Sequence, residues 1–196
     1  MEQKTYIKIP LERLGALIGP KGNAKRRIER AFGVSLSIDS GSGAVEATLG
    51  PGGEDVTAIF TVQKIVRAIG RGFNPRKAER LAEEGFDLLI IDLTDYVGRS
   101  KSAQARVKGR IIGKNGRSRA LLEELTDTMI SVYGHTVAII GRVEDLNAAR
   151  EAVLMLVKGA FHKTVWNFLY AYRRKRRKKE RTELWKEVPE PKAELR

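Results

Sequence analysis

Two periodicities alternate along this chain and predict where it forms strands and where it forms helices. Residues 34–38 read Val-Ser-Leu-Ser-Ile, and residues 44–49 alternate in the same way after a break rich in glycine, serine and aspartate. Strict alternation of apolar and polar residues predicts strands with one face on a core, and the polar break predicts a hairpin turn. Around this hairpin the pattern predicts a strand at 5–10, helices at 11–18 and 23–32, and a helix at 54–70.

Residues 87–93 form the most apolar strand candidate in the chain. Because apolar residues follow one another there, we predict a strand in the centre of a sheet with both faces covered. A short helix at 76–84, opened by Asn74-Pro75, precedes it, and a polar stretch at 94–102 follows it. The remaining predicted elements are helices at 103–112 and 117–126, strands at 129–133 and 136–140, a helix that starts at 144 and a terminal helix at 161–181.

The same order of elements occurs twice, each time around a Gly-x-x-Gly turn. Four positions of the first copy correspond at one constant offset to four of the second: Gly15, Ile18, Gly19 and Gly22 to Gly109, Ile112, Gly113 and Gly116. In both copies one strand and one helix precede the turn, and a helix, two strands and a further helix follow it. A matched order around two turns indicates tandem modules, and the repeat is expected to end at Gly159.

The pattern therefore predicts an α+β fold with two modules, each a three-stranded sheet packed by three helices, and a C-terminal helix. We assign residues 1–73 to the first module, 74–85 to a linker helix, 86–160 to the second module and 161–185 to the basic terminal helix. Residues 186–196 contain Val188-Pro189-Glu190-Pro191 and are expected to be a disordered tail.

The net charge of the chain indicates what kind of partner it binds. The 196 residues carry a net charge of +13 with a pI near 10.1, which favours a polyanion such as nucleic acid. Residues 173–181 hold eight cationic side chains against one glutamate, and we expect them to contact RNA without sequence preference. The predicted nonspecific contacts are Arg173, Arg174, Lys175, Arg176, Arg177, Lys178 and Lys179.

Several other classes of chemistry find no support in the sequence. Cysteine is absent, which excludes disulfides and thiolate metal sites, and His135 and His162 alone do not make a metal site. We expect no metal, no cofactor and no membrane contact, because no uncharged run approaches the length of a membrane span. The first residues form no apolar signal segment, so a cytoplasmic location is expected.

The repeated turn is the candidate functional site. Glycine at both ends lets another backbone approach closely, and the lysines and arginines around it suit a phosphodiester. KH modules use such a loop to clamp single-stranded RNA, and the order of elements here is that of the type I, or eukaryotic-type, KH domain. In the second module the predicted RNA-binding residues are Arg110, Ile111, Ile112, Gly113, Lys114, Asn115, Gly116, Arg117 and Arg119. In the first module they are Gly19, Pro20, Lys21, Gly22, Asn23, Lys25 and Arg26.

The second turn also carries a narrower resemblance. The run from Ile112 to Arg119 is similar to the KH signature. Together with Asn74-Pro75-x-x-Ala78 and Tyr133-Gly134, it resembles the tandem-KH ribosome-biogenesis factor of archaea and eukaryotes. That family is the partner of the small-subunit rRNA dimethyltransferase. The resemblance covers nearly the whole chain and implies non-catalytic binding to the 3′ region of small-subunit rRNA during pre-rRNA processing. It also implies the alpha subunit of translation initiation factor 2 and the rRNA-trimming endonuclease as partners.

One departure from the family concerns the first turn. In eukaryotic members this turn is degenerate, whereas Gly19-Pro20-Lys21-Gly22 is intact here, as expected of an archaeal member. We expect the first module to keep an RNA contact, although Pro20 removes one backbone donor. A protein-docking role for this module is the alternative.

Three other functions compete with rRNA binding. A KH subunit of an RNA-processing or RNA-degrading complex is disfavoured because no oligonucleotide-binding barrel is recognisable beside the modules. A protein-docking scaffold is disfavoured because both turns are intact and basic. An enzyme is the weakest rival, because the sequence contains no nucleophile–base arrangement and no Gly-x-x-x-x-Gly-Lys-Ser/Thr loop.

Overall fold

The first half of the chain forms a three-stranded antiparallel sheet with helices on one face. The computed structural model describes residues 4–50 and 56–186. The elements of the first half are β1 (Lys4–Lys8), α1 (Leu11–Ile18), α2 (Asn23–Phe32), β2 (Val34–Ile38), β3 (Ala44–Leu49) and α3 (Val56–Gly70). Strand β3 lies between β1 and β2 and pairs with both of them in antiparallel register.

The second half repeats this arrangement and adds a long helix. Its elements are α4 (Pro75–Ala78), a 3-10 turn (Glu79–Ala82), β4 (Phe86–Asp92), α5 (Thr94–Val97), α6 (Lys101–Ile112), α7 (Arg117–Thr126), β5 (Met129–Tyr133), β6 (Thr136–Arg142), α8 (Val143–Val157) and α9 (His162–Lys186). The strand order is β4-β6-β5, again antiparallel. The predicted α+β fold with two KH-like modules and a C-terminal helix is confirmed.

Only one face of the first sheet is buried, as the alternation predicts. Val34 and Leu36 of β2 lie in the core, and Ser35 and Ser37 next to them are exposed. On the same outer face Tyr6 of β1 is 69% exposed. Burying each aliphatic side chain on the inner face contributes about 1.5–3 kcal/mol, which is why the register of this sheet is well specified.

The second sheet is covered on both faces, because the first module packs against its outer side. Val137 and Ile139 of β6 lie in the core of the second module, whereas Ala138 and Ile140 join the core of the first. Strand β6 is therefore the buried central strand. The prediction that residues 87–93 form the central strand is wrong, since β4 is an edge strand.

The apolar sequence of β4 has a different cause from the one we expected. Phe86 and Leu88 pack against the core of the first module, while Leu89 and Ile91 pack into the core of the second. Ile90 remains 38% exposed. The strand is apolar on both faces because it borders two cores, and its position at the sheet edge does not alter this.

Polar contacts also join the two modules. Lys64 of α3 forms an ion pair of 2.7 Å with Asp87 of β4. The Ser131 hydroxyl donates to the Arg71 carbonyl oxygen at 2.9 Å, and the Tyr133 hydroxyl donates to Glu12. These contacts and the shared apolar face hold the modules in one orientation.

Helix α3 of the first module and helix α8 of the second, which we call the third helix of each module, end in the same hydrogen-bonded motif. Gly72 and Gly159 adopt φ values of 97° and 94°, in the left-handed region that favours glycine. In both modules the glycine N–H donates three residues back and the next N–H donates five residues back: Gly72 to Ile69 and Phe73 to Ala68, Gly159 to Leu156 and Ala160 to Met155. This is the Schellman motif, and it satisfies carbonyl groups that the helix end leaves free.

The repeat continues beyond this motif. The carbonyl oxygen of Phe161 accepts the N–H groups of Thr164 and Val165, as Asn74 accepts those of Lys77 and Ala78. Helix α9 therefore begins at the position that corresponds to α4. The correspondence in backbone hydrogen bonds runs as far as Val165, after which α4 ends at Ala78 whereas α9 continues to Lys186, so the chain leaves the repeat a few residues later than Gly159.

Some predicted bounds differ from the observed ones. The predicted helix at 76–84 is the short helix α4 followed by a 3-10 turn, and the polar stretch at 94–102 contains the short helix α5. Helix α9 begins one residue later than predicted and extends to Lys186. Apart from Lys186, the predicted disordered tail at 186–196 lies outside the described residues.

Candidate nucleic-acid interface

The two Gly-x-x-Gly turns have the same backbone conformation. Gly19 and Gly113 both have φ 71°, and their ψ values are 174° and 177°. The third residue of each turn, Lys21 or Asn115, has φ 52° or 53°. Gly22 and Gly116 both have φ 75°. The sequence repeat is therefore a repeat of backbone geometry.

The first glycine of each turn is required by contacts inside the protein. A Cβ at Gly113 would lie 2.5 Å from the Cβ of Ser118, and one at Gly19 would lie 2.7 Å from the Cβ of Ala24. Real Cβ atoms do not approach so closely, so the glycine lets the next helix begin directly against the turn. At Gly116 the nearest atom to a Cβ would be 3.9 Å away, which leaves this side of the turn open.

The middle residues of the turns differ. Lys114, Asn115, Pro20 and Lys21 are all exposed. Asn115 belongs to the residue types that tolerate the left-handed region, whereas Lys21 is less suited to it. In the first turn, Arg26 donates to the Lys21 carbonyl oxygen at 2.6 Å and so braces the strained position.

Arg26 also donates to Asn23 Oδ1 at 2.8 Å, so two of the predicted RNA contacts of the first module bind each other. The position that corresponds to Arg26 in the second module is Ala120, and no such brace is present there. The second turn has a different guanidinium group nearby, since Arg119 Nη2 lies 3.9 Å from the position that a Cβ on Gly116 would take.

Among the predicted RNA contacts, Arg110 has a different position from the one expected. Its Nε donates to the Leu156 carbonyl oxygen at 3.1 Å, and another nitrogen donates to the Ala160 carbonyl oxygen. Arg13 makes the corresponding pair of bonds to Ile69 and Phe73, at 2.9 and 2.7 Å. We call this contact the arginine clamp. In each module it ties the helix before the turn to the carboxyl end of the third helix, where carbonyl groups attract a cation.

The other predicted contacts of the second module fall into two groups. Ile111 is fully buried in the core, so only Ile112, which is half-buried, can help form an apolar surface. Arg117 is exposed at the start of α7, and Arg119 is half-buried. In the first module Lys25, at the position of Arg119, is half-buried and lies 3.7 Å from Glu29.

A pair of glutamates beside the sheet edge was missed by sequence reasoning. Glu29 Oε1 accepts the N–H of Leu36 at 2.8 Å, and Glu123 Oε1 accepts the N–H of Ile130 at 2.7 Å. Strands β2 and β5 are edge strands, so these carboxylates satisfy donors that no neighbouring strand pairs with. The signal was present, because both glutamates lie seven residues before the strand residue they bind.

A cavity of about 530 Å³ adjoins the first turn and separates it from the linker. Arg13, Asn23, Arg27 and Arg76 are among its lining residues, so it is strongly basic. Arg27 is held by Glu79 at 2.7 Å. In the second module the His162 ring lies 2.9 Å from the Arg110 carbonyl oxygen, on the segment that corresponds to the linker.

Comparison with known proteins agrees with this geometry. The model of the eukaryotic-type KH domain (KH-domain type I) matches residues 87–174, and that of the KH domain matches residues 4–59. A KH domain-containing protein of Methanocaldococcus jannaschii is 47% identical over 180 residues, which cover 92% of this chain and 78% of the relative. The crystal structure of Dim2p from Pyrococcus horikoshii is 43% identical, with a TM-score of 0.82, and the match covers 86% of this chain and 99% of that one. The chain belongs to the Dim2/PNO1 family of tandem KH proteins.

The family extends to eukaryotes. A pre-rRNA-processing protein PNO1 from Chaetomium thermophilum is 40% identical over 93 residues, which are 47% of this chain and 34% of that protein. A protein of unknown function from Aeropyrum pernix has the same fold, with a TM-score of 0.90 and 40% identity over 94% of this chain and 98% of that one. Dim2/PNO1 proteins are RNA-binding and non-catalytic.

The basic run of this family member is divided between two sides of α9. Arg173 pairs with Glu124 at 3.1 Å, and Arg176 pairs with Asp145 at 2.9 Å, so both bind the second module. The other predicted nonspecific contacts are exposed: Arg174, Lys175, Arg177, Lys178 and Lys179. Only part of the run is therefore available to RNA in the way the sequence suggested.

Asp145 fastens α9 to the second module. Its carboxylate is buried and accepts the Tyr172 hydroxyl at 2.6 Å. Burial raises the pKa of Asp145, and burial together with the hydrogen bond from its hydroxyl to Asp145 raises the pKa of Tyr172. In the described part of the chain, no helix is long and apolar enough to cross a membrane, and no group of acidic or histidine side chains is placed to hold a metal ion.

Proposed function

We propose that this protein binds the single-stranded 3′ region of small-subunit rRNA during ribosome biogenesis and acts there as a non-catalytic assembly factor. The observation that carries the proposal is the matched geometry of two exposed basic turns, each at the start of a helix. A second support is a relative, 42% identical, which was crystallised as the a/eIF2alpha-aDim2p-rRNA complex from Pyrococcus horikoshii. That match has a TM-score of 0.85 and covers 89% of this chain and 96% of the relative.

The second turn supplies the groups that such binding needs. The open side at Gly116 admits a sugar-phosphate backbone, and the N–H groups at the start of α7 attract a phosphate. Lys114 and Asn115 are exposed beside it as donors, and Arg117 extends the positive field. Ile112 offers an apolar surface next to the turn for an unstacked base.

The first turn is the weaker of the two RNA sites in this proposal. Pro20 lacks a backbone donor, and Arg26 is engaged with Lys21 and Asn23. The turn keeps the exposed Lys21 and the same backbone conformation, so it contributes a phosphate contact with less affinity.

Replacing Lys114 and Asn115 together with aspartate tests the second turn. The exchange places two negative charges where the phosphate would bind, so binding to an oligonucleotide of the rRNA 3′ end should be abolished in fluorescence anisotropy. Both residues are exposed, so the thermal unfolding curve should not change. Unchanged RNA affinity in this folded variant would refute the role of the turn.

The matched exchange of Pro20 and Lys21 for aspartate tests the first turn. We expect a smaller loss of RNA affinity than in the second. If affinity does not change at all, the first module serves as a protein-docking surface, which is the alternative left open by its braced turn.

We infer the alpha subunit of translation initiation factor 2 as a protein partner from the composition of the relative's complex. The small-subunit rRNA dimethyltransferase and the rRNA-trimming endonuclease are further partners of the proposed assembly step. Size-exclusion chromatography with each purified candidate, with and without the rRNA oligonucleotide, tests the three interactions separately. Separate elution under both conditions would remove that candidate.

A further inference from the structure

Helix α9 is fixed to the second module along one side. Val165 and Leu169 are fully buried in the core of that module. Further along the helix, Tyr172 and Arg176 both bind the buried Asp145. A helix held by two apolar and two polar contacts is a rigid ridge, and the side chains on its other side have defined positions.

The outer side of the ridge carries an aromatic ring among guanidinium groups. Asn167, Tyr170, Arg174 and Arg177 follow one another at intervals of three or four residues and so form one stripe. Together with Arg173 they line an open concavity of about 470 Å³. Tyr170 is 49% exposed there. Among the residues that the structure describes, neither Arg174 nor Arg177 has an ion-pair partner.

Arg173 is the exception, because Glu124 holds it at 3.1 Å. It forms one wall of the concavity in a fixed position, while Arg174 and Arg177 are left to bind an anion. The concavity therefore combines an accessible ring face with two cations that form no ion pair with a described residue and lie about one helical turn apart.

We propose that this concavity is a nucleotide-binding site separate from the two Gly-x-x-Gly turns, in which an unpaired RNA base stacks on Tyr170 and the adjoining phosphates bind Arg174 and Arg177. Every base has a π-face, so an aromatic ring accepts any of them, and arginine binds phosphate through two parallel hydrogen bonds. A ring flanked by cations matches a nucleotide because the base and its phosphate are joined at a short, fixed distance.

That the ligand is RNA rests on the proposed function. A KH turn clamps about four nucleotides, so a longer single strand has nucleotides outside the two turns that can occupy this site. The site gives the basic helix a specific point of contact, in addition to the diffuse attraction expected from its charge.

Binding of a short and a long oligonucleotide distinguishes the two sites. A strand of about six nucleotides fills one turn only, whereas one of about twenty can also reach α9. Tyr170→Ala should weaken binding of the long strand about tenfold and leave the short one unchanged, since loss of one stacked base has roughly that effect. Tyr170→Phe keeps the ring and should bind the long strand like the wild type.

Charge is tested with a matched control on the same helix. Replacing both Arg174 and Arg177 with alanine removes two phosphate contacts. Each contact contributes about 0.7 to the slope of log affinity against log salt, so the slope for the long strand should fall by about 1.4. Lys163→Ala removes an exposed charge of the same helix that lies outside both the concavity and the basic run, so it should leave the slope unchanged. If Lys163→Ala lowers the slope as much per removed charge, α9 acts only through its general charge, and the site would be rejected.

A direct readout completes the test. A long strand that contains 4-thiouridine should crosslink to the α9 peptide around residue 170 in the wild type, and this crosslink should be lost in Tyr170→Ala. If the short strand fails to bind the wild type, the proposed function fails. If the short strand binds but Tyr170→Ala leaves the long strand unchanged and no crosslink forms on α9, only this site is refuted. The proposed site would also be refuted if an acidic peptide bound in the concavity and RNA did not displace it.

Discussion

At the residue scale, the two glycines of each turn have different tasks. The first glycine removes a clash with the following helix, and the second has only a backbone conformation to satisfy. A Gly-x-x-Gly pattern is read from sequence as one feature, whereas the structure separates packing at Gly113 from access at Gly116. Mutations at the two positions should therefore differ in what they damage.

Gly113→Ala should destabilise the protein by roughly 1–3 kcal/mol, because the new Cβ overlaps Ser118 and the positive φ is strained. Urea unfolding followed by circular dichroism measures the effect. Gly109→Ala is the matched control in α6, where a Cβ meets nothing within 4 Å. It should stabilise the helix by about 0.5–1 kcal/mol. A control as damaging as Gly113→Ala would contradict the packing argument.

Glu123 is a second residue whose importance lies in a single bond. Glu123→Ala leaves the N–H of Ile130 unpaired at a partly buried edge and should cost about 1–3 kcal/mol of unfolding free energy. Glu123→Gln keeps an oxygen acceptor and should cost less. Equal losses in the two variants would show that the side chain contributes by packing and not through this hydrogen bond.

At the element scale, the arginine clamp determines how the helix before each turn lies against the third helix. Arg110→Ala breaks two bonds to the carboxyl end of α8. It should lower the unfolding free energy by about 2 kcal/mol, since hydrogen bonds to charged groups are worth more than neutral ones. Arg106→Ala removes an exposed arginine from the same helix and should have little effect. Similar losses in both variants would show that helix propensity, and not the clamp, is responsible.

The attachment of α9 should respond to pH through Asp145. Burial raises the pKa of this carboxyl above its ordinary value of 3.8, so the folded state binds the proton more tightly than the unfolded chain. The contribution of this group to stability is therefore present below pH 3.8 and is lost as pH rises through the folded pKa. Relative to Asp145→Asn, the wild type should lose unfolding free energy as the pH rises above 3.8. A difference that does not vary with pH would contradict this.

The elements show which features a sequence can predict. Strands β2, β3 and β5 and helix α7 have the predicted bounds, because alternation, helix periodicity and glycine breaks are local signals. The position of β4 at a sheet edge depends on how two modules pack, which no local pattern encodes. For the same reason the sequence showed that Arg110, Arg173 and Arg176 are cations but not that they bind their own chain.

At the scale of the whole molecule, the modules are joined by a face that belongs to both cores. The side chains of Ala138 and Ile140 project from the second sheet into the core of the first module. Gly72 lies against Ser131 and Tyr133 of the same sheet. The relative placement of the two turns follows from this contact. A variant that forces the modules apart should change RNA binding by both turns together.

Gly72→Ala provides that variant, and the repeat supplies its control. A Cβ at Gly72 would lie 2.6 Å from Ser131 Oγ, whereas one at Gly159 meets nothing within 4 Å, and both glycines have nearly the same φ. The two alanine variants share the backbone strain. Only Gly72→Ala should lose about 1–3 kcal/mol more of unfolding free energy, because its Cβ overlaps atoms at the interface. Chemical unfolding measures both. Equal losses of unfolding free energy in the two variants would mean that the interface accommodates the added methyl group without destabilising the protein.

The shared face also has a consequence for how the protein is made. The first module reaches its full apolar core only with Ala138 and Ile140, which a ribosome adds long after β3 and α3. An early nascent chain therefore exposes the side of α3 that the second sheet later covers. Domains generally fold as they emerge, but here the amino-terminal module completes its core only when a strand of its neighbour has been made. Synthesis and folding of this RNA-binding protein are thus coupled over most of its length.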